Sequence, residues 1–190
     1  MAYHAYPPEH STSPLYQSQP QHDEPHPQGQ LVKIFCKADK TYCLSARNDM
    51  PLMAPARSDD PSQLWIKDMS FGERIKDNYG SPAFMLVNQA TRKALKHGKQ
   101  QGKQLSMVDF HRAHADEDLL FTESQDFGEG FCTLRMASDT LLNMTVHHEE
   151  EKGGLLHHAA KGPEVREGAP LVLDTWHKKD HQLWKLFPLS

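Results

Sequence analysis

Short apolar runs separated by polar turns are the dominant pattern of the chain from residue 30 onward. Runs of four to six mainly apolar residues alternate with Gly, Pro, Asn and Asp, a pattern typical of an all-β domain. No long segment keeps the i, i+3, i+4, i+7 apolar spacing of an amphipathic helix. We therefore predict strands at residues 31–37, 42–46, 52–54, 63–67, 83–88, 93–97, 104–109, 119–122, 131–136, 141–146, 171–174 and 182–187.

These strands fall into three similar units of four. Each unit begins with an apolar strand, continues with a second strand after a short turn, and closes on an aromatic residue. The closing aromatics Trp65, Phe121 and Trp184 lie 56 and then 63 positions apart, and both tryptophans end a Gln-x-Trp triplet, with Gln63 and Gln182. Tryptophans in a small β domain are usually core residues. The repeat predicts a β-trefoil with units at about 31–80, 81–130 and 131–190.

Residues 1–30 differ in composition from the rest of the chain. They contain six prolines, five glutamines and four histidines, but no Lys or Arg. Such a segment buries too little apolar surface to offset the entropy of ordering, so we expect a disordered tail before a domain at 31–190. Tyr3, Tyr6 and Tyr16 offer docking points for a protein partner, and a solubilising role is the alternative.

Charge and cysteine usage narrow the class of protein. A net charge of −4 and a pI near 6.3 give no basis for binding nucleic acid or anionic membranes. No apolar stretch is long enough for membrane insertion. Three cysteines cannot all pair within one chain, and the N-terminus has no secretory signal pattern. We therefore expect reduced thiols and a location in the cytoplasm and nucleus.

Metal binding is one alternative that the histidines raise. Pairs of histidines flank the acidic residues 149–151, but the short ligand spacing of a structural zinc site is absent. The insertion 147–168 is polar and rich in glycine, so a solvated loop is the favoured interpretation. We predict no metal and no cofactor. The histidine pairs are His147, His148, His157 and His158.

Enzyme motifs are also missing. Asp126-Phe127-Gly128 imitates the magnesium-binding triplet of kinases, but no glycine-rich loop or catalytic-loop motif accompanies it. We interpret this triplet as a turn between repeats. The cysteines lie within apolar runs, which indicates buried, inert thiols, and nothing in the sequence places one beside a base. The chain is predicted not to be an enzyme.

Several segments resemble a known family. Residues 35–38, 63–68, 84–91, 121–128 and 180–188 are similar to the Euonymus-lectin-type domain, a plant branch of the ricin-B-like β-trefoils. The resemblance implies a non-enzymatic lectin of the cytoplasm and nucleus that recognises galactose- or mannose-containing glycans or glycoproteins. It also implies a role in stress responses.

A sugar pocket of this type combines an acid, an aromatic ring and an amide, since desolvated hydroxyls need matched hydrogen-bonding groups. In the third repeat the resemblance points to Gln182 and His181 as the amide pair, Thr145 at the acid position, and Asp174 with Trp176. In the first repeat it points to Asn48, Asp49 and Gln63.

The second repeat has His97 and Phe110 but no glutamine before Phe121, so it is expected to be vestigial. Because Thr145, Asp174 and His181 depart from the family pattern, a protein-interaction trefoil with a degenerate sugar site is the alternative function.

Overall fold

The computed structural model describes residues 27–111, 116–148 and 165–190. Twelve strands lie within these ranges and no α-helix does. They are β1 (Gln30–Cys36), β2 (Asp39–Arg47), β3 (Met50–Pro55), β4 (Trp65–Asp68), β5 (Met85–Asn88), β6 (Lys93–Lys96), β7 (Ser106–Asp109), β8 (Phe121–Glu123), β9 (Leu134–Met136), β10 (Asp139–Val146), β11 (Leu171–Thr175) and β12 (Trp184–Pro188).

Six of these strands form a closed barrel. Antiparallel ladders join β12 to β1, β1 to β4, β4 to β5 and β8 to β9. Isolated bridges complete the circle, with Phe84 opposite Phe121 and Cys132 opposite Trp184. Closure removes the unpaired strand edges that an open sheet of this size would expose.

The other six strands form three hairpins, one from each repeat, namely β2–β3, β6–β7 and β10–β11. They meet one another through backbone hydrogen bonds. Met53 N donates to Ala169 O at 2.9 Å, and Leu105 N donates to Leu171 O at 2.9 Å. A six-stranded barrel with three hairpins is the predicted β-trefoil.

The closing aromatics fill the centre of this barrel. Trp65, Phe121 and Trp184 are completely buried and belong to one core cluster. Trp65 Nε1 donates to Leu44 O and Trp184 Nε1 donates to Met144 O, both at 2.9 Å. A buried indole N–H needs such an acceptor. Because the same bond occurs in the first and third repeats, the two closing tryptophans are structurally equivalent.

The closing aromatic of the second repeat is packed differently from the two tryptophans. Phe121 has no N–H, and the buried His97 ring packs edge-on against it with centroids 4.9 Å apart. His97 Nε2 lies 2.9 Å from Leu120 O. This histidine is therefore a core residue, and the prediction that the second repeat is vestigial as a sugar site agrees with its burial.

All twelve predicted strands are confirmed, with one systematic correction. A short 3-10 helix precedes each closing aromatic, at Pro61–Gln63, Glu117–Leu119 and Asp180–Gln182. The sequence had assigned Gln63, Leu119 and Gln182 to strands. Their apolar neighbours resemble a strand start, but the aspartates Asp60 and Asp116 cap the first two turns by accepting backbone N–H bonds.

Two predicted segments lie largely outside the described residues. They are the tail, of which residues 1–26 are not described, and the insertion at 147–168, of which residues 149–164 are not. Where the chain resumes, Val165 is buried in the main core cluster. Its burial anchors the end of the insertion beside β11.

Cys36, Cys43 and Cys132 are all buried, as the sequence predicts. Burial raises the pKa of Cys43 to about 11 and that of Cys132 to about 12. At neutral pH both therefore hold the proton that a nucleophilic thiolate would have lost.

We expect Cys43 and Cys132 to react at least about tenfold more slowly with iodoacetamide in the native protein than in urea, because the thiolate is the reactive form. Peptide mass spectrometry of samples quenched at intervals measures each rate. Equal native and denatured rates would contradict the burial of these thiols.

Protonation of His97 should destabilise the fold. Burial lowers the pKa of His97 below its ordinary value of 6.5, although its bond to the Leu120 carbonyl raises it in part. The neutral ring is favoured in the folded state, so its contribution is complete well above pH 6.5 and falls as pH drops below that value.

Urea unfolding at pH 8 and at pH 5.5 tests this prediction. Wild type should lose more stability between the two values than His97→Gln, in which the titrating ring is absent. His111→Gln, at an exposed histidine, should behave like wild type. A pH dependence that His97→Gln retains in full would place the titrating group elsewhere.

Candidate functional site

Gln182 holds the loop that follows β11 in place. Its side chain is completely buried. Oε1 accepts a bond from His177 N at 2.8 Å, and Nε2 donates to Thr175 O at 2.7 Å. The amide therefore clamps the backbone on both sides of Trp176 and positions the loop. That Gln182 contacts a sugar stays a prediction.

Thr145 is also turned inward. It is 3% exposed, and its hydroxyl donates to Asn143 O at 3.0 Å and lies 3.2 Å from Gln182 Nε2. An acid at this position would reach a ligand only through a longer side chain. The Thr145 hydroxyl therefore takes part in hydrogen bonds within the protein, and its predicted contact with a sugar stays a prediction.

The first repeat contains the same clamp. Gln63 is completely buried; its Oε1 accepts from Arg57 N and its Nε2 donates to Pro55 O, both at 2.8 Å. Gln63 is thus another amide that holds a loop, and its predicted contact with a sugar stays a prediction.

The predicted pair Asn48 and Asp49 forms the two-residue turn between β2 and β3. Their φ angles of 49° and 61° are left-handed, as a tight hairpin turn requires and as Asn and Asp tolerate. Asp49 pairs with Lys93 at 2.9 Å and raises the pKa of that lysine. Gln63 lies in the 3-10 helix that follows this hairpin, and the prediction that the three residues form one site stays a prediction.

The remaining predicted residues surround the end of β11. Asp174 lies opposite Asn143 in the β10–β11 ladder. Its Oδ1 accepts from Gln101 Nε2 at 2.9 Å, and its Oδ2 lies 3.3 Å from His177 Nε2. Asp174 is about one-third exposed, so a ligand could reach it.

His181 is a mostly buried residue of the last 3-10 helix. Its ring meets His148 edge-on, with centroids 4.8 Å apart. It therefore packs against the start of the insertion at His148, and its predicted contact with a sugar stays a prediction. Within the ranges that the structure describes, no three His, Cys, Asp or Glu side chains gather as metal ligands.

Trp176 is the predicted residue that faces a cavity. A cleft of about 730 Å³ lies between the second and third repeats, with Trp176 on one wall. The Trp176 and Phe127 rings pack at 40° with centroids 5.2 Å apart. The cleft is lined by Tyr79, Ser81, Ser124, Gln125, Phe127, Thr133, Arg135, Thr140, Leu141, Asn143, Thr175 and Trp176.

Phe127 reaches this wall through the turn that the sequence predicted. Asp126 carboxylate oxygens accept bonds from Gly128 N and Gly130 N, and residues 128–130 all have positive φ. The triplet is therefore an inter-repeat turn, as predicted. Its phenylalanine is 41% exposed and pairs with Trp176.

A buried ion pair forms the far wall of the cleft. Arg135 Nη2 lies 2.8 Å from Asp77 Oδ2, and the Asp77 side chain is completely buried. Burial raises the pKa of Asp77, but bonds from Thr122, from the backbone of Ser81 and Tyr79, and from Arg135 outweigh it and lower the pKa below its ordinary value. The aspartate thus stays charged and fixes the guanidinium.

Sequence reasoning missed Tyr79 and Arg135 as cleft residues. The Arg135 guanidinium lies 4.8 Å from the centre of the Tyr79 ring. Tyr79 follows Asp77 in a loop between repeats, where neither strand periodicity nor the Gln-x-Trp triplet gives a signal. The sequence gives no signal for Tyr79, because a single exposed aromatic residue in a turn is common and only a grouped apolar patch indicates a site.

Comparison with known proteins assigns the family. The chain is 40% identical over 157 residues to ricin B-like lectin R40G3 of Oryza sativa subsp. japonica, covering 83% of this chain and 72% of that protein. It is 39% identical over 157 residues to ricin B-like lectin EULS3 of Arabidopsis thaliana, covering 83% and 47%. The chain therefore belongs to the ricin B-like lectin family of plants, which confirms the predicted resemblance. It spans about half the length of several such relatives.

Solved structures support the fold. The ricin B-like lectin of Macrolepiota procera, solved in complex with lactose, matches with a TM-score of 0.59 at 15% identity, over 86% of this chain and 98% of that one. No family model matches the chain.

Lectins are non-catalytic by definition, so the prediction of a non-enzyme is confirmed by the family. In the described residues, no helix has the length and apolar character of a membrane span.

Removing the clamp should destabilise the protein. Gln182→Ala deletes the three side-chain hydrogen bonds of Gln182 and leaves His177 N and Thr175 O without their side-chain partner, so we expect a loss of roughly 1–3 kcal/mol in the free energy of unfolding. Urea denaturation measures it. The exposed Gln89→Ala should change stability by less than about 0.5 kcal/mol. Equal effects would show that the clamp is dispensable.

Proposed function

We propose that this domain binds galactose- or mannose-containing glycans by stacking a sugar ring on Trp176. One observation carries the proposal: Trp176 lies partly exposed on a cleft whose other walls supply hydroxyl and amide groups. The apolar C–H face of a sugar packs on an aromatic ring, and its hydroxyl groups need polar partners at the edge. Family membership supports the same class of ligand.

The position of Trp176 suits this task. The Gln182 clamp holds the backbone on both of its sides, and the Phe127 ring packs against its own. A ring held in this way loses little entropy when a sugar binds. The exposed Gln125 and the partly exposed Thr175 line the same cleft and offer an amide and a hydroxyl.

The choice of sugar draws on relatives and on the family resemblance. The Macrolepiota procera neighbour was solved with lactose, which favours a galactoside as the first ligand to test. For the intact protein we propose a place in the cytoplasm and nucleus and a role in stress responses. Three buried cysteines, an odd number that cannot all pair with one another, suit a reducing compartment.

A protein-interaction module is the second candidate. Gln182 and Thr145 were expected to bind sugar, but their polar groups form hydrogen bonds within the protein. This observation favours the second candidate. Under this alternative the cleft would meet a protein surface, and no glycan would be retained.

A glycan array with galactosides, high-mannose N-glycans and blank spots distinguishes the two candidates. We expect the full-length chain to give signal, and Trp176→Ala to lose at least about tenfold of it because the stacking face is gone. Phe187→Ala, at an exposed aromatic that does not line the cleft, should keep the signal.

Thermal unfolding of each variant checks that it is folded. Full signal from a folded Trp176→Ala would contradict the proposed site. A blank array with folded wild-type protein would contradict sugar binding and favour the protein-interaction module.

A further inference from the structure

We infer that the cleft between the second and third repeats is an extended subsite, in which Tyr79 and Leu141 bind a second unit of a neutral oligosaccharide whose first unit stacks on Trp176. The inference rests on the proposed function and adds the size and charge of the ligand. The residues that carry it lie outside the Gln-x-Trp loops from which the sugar site was predicted.

Exposed apolar surface is concentrated at this cleft. Six large apolar side chains are exposed among the described residues, and three of them, Tyr79, Phe127 and Leu141, line it. Tyr79 and Leu141 are each 72% exposed. Apolar side chains grouped in one concave surface mark a binding site more often than scattered ones do. This clustering therefore indicates a ligand that covers both the Trp176 wall and the Tyr79 wall.

The volume of the cleft fits more than one sugar. Its 730 Å³ falls within the range of roughly 300–1,000 Å³ that holds ligands of drug size, which is the size of a short oligosaccharide. A single ring stacked on Trp176 would leave the Tyr79 wall uncovered. Tyr79 comes from the loop before β5 and Leu141 from β10, whereas Trp176 follows β11 and Phe127 comes from the turn before β9.

The charge of the cleft favours a neutral ligand. Arg135 is the only charged side chain among the described residues that line it. Its Nη2 is bonded to Asp77 at 2.8 Å, to Glu123 O at 2.9 Å and to Ser81 Oγ at 3.2 Å. Because a buried carboxylate neutralises the guanidinium, the guanidinium attracts an anion only weakly. We therefore expect sulfated or sialylated glycans to bind no more tightly than neutral ones.

Arg135 acts instead as a positioning residue for Tyr79. The guanidinium lies 4.8 Å from the ring centroid, within the range of a cation–π contact. Asp77 accepts bonds from the backbone N–H groups of Tyr79 and Ser81 at 2.9 and 3.0 Å. The loop and the ring are therefore oriented before a ligand arrives, which is the property that a stacking platform needs.

Calorimetry on the full-length chain tests the inference with two pairs of probes, methyl galactoside against lactose and methyl mannoside against mannotriose. For the pair that binds, we expect the larger sugar to bind about five- to tenfold tighter than the smaller. Tyr79→Ala and Leu141→Ala should remove that advantage and leave the monosaccharide affinity unchanged. Tyr79→Phe should keep it, since the ring remains, and Phe187→Ala should match wild type.

The outcomes separate the two proposals. Binding of the monosaccharide and the larger sugar with equal affinity, or a size advantage that survives in both Tyr79→Ala and Leu141→Ala, overturns the subsite while leaving Trp176 as the primary site. Loss of both sugars in Trp176→Ala alone supports the primary site. If folded wild type binds neither pair, the proposed function and the subsite both fail. Tighter binding of a sulfated lactose than of lactose overturns the neutral character of the cleft.

Discussion

Burial of three closing aromatics on the barrel axis is the constraint on which the rest of the structure depends. Trp65, Phe121 and Trp184 share one core, and each lies at the start of a barrel strand. Two of them also anchor a hairpin, because their indole N–H groups bond to β2 and β10 backbone carbonyls. The strand phase, the 3-10 turn before each aromatic and the orientation of each loop follow from where these rings must lie.

The core also explains how much the sequence could predict. The twelve strands and the three-fold repeat were predictable because alternating burial and the spacing of large aromatics are local signals; in β1, Val32, Ile34 and Cys36 face inward in strict alternation. The 3-10 turns were not predictable from the sequence. Gln63 and Gln182 fit a strand pattern there, and only their side-chain hydrogen bonds in the structure reveal their role. Whether a glutamine faces the ligand or the loop is decided by tertiary contacts.

The binding site was only half predictable for a related reason. Trp176 was found from the family resemblance. Tyr79 and Phe127, in contrast, lie outside the third repeat, and Arg135 lies on a different strand of it, so these residues meet only through the closed barrel. Arg135 is paired with Asp77, 58 positions away. The residue pattern of one strand carries no information about a contact between residues that are so far apart in the chain. The family resemblance directed attention to each repeat singly, but the cleft belongs to the junction between two of them.

The glutamine clamp has a consequence for how this fold changes over evolutionary time. Gln63 and Gln182 grip peptide N–H and carbonyl groups, which every residue except proline offers alike. Side chains between the gripped points can therefore be exchanged without loosening the loop. A lineage that gains or loses a sugar preference need not pass through unstable intermediates, and a library randomised at Trp176 and His177 would sample new ligands on an intact scaffold.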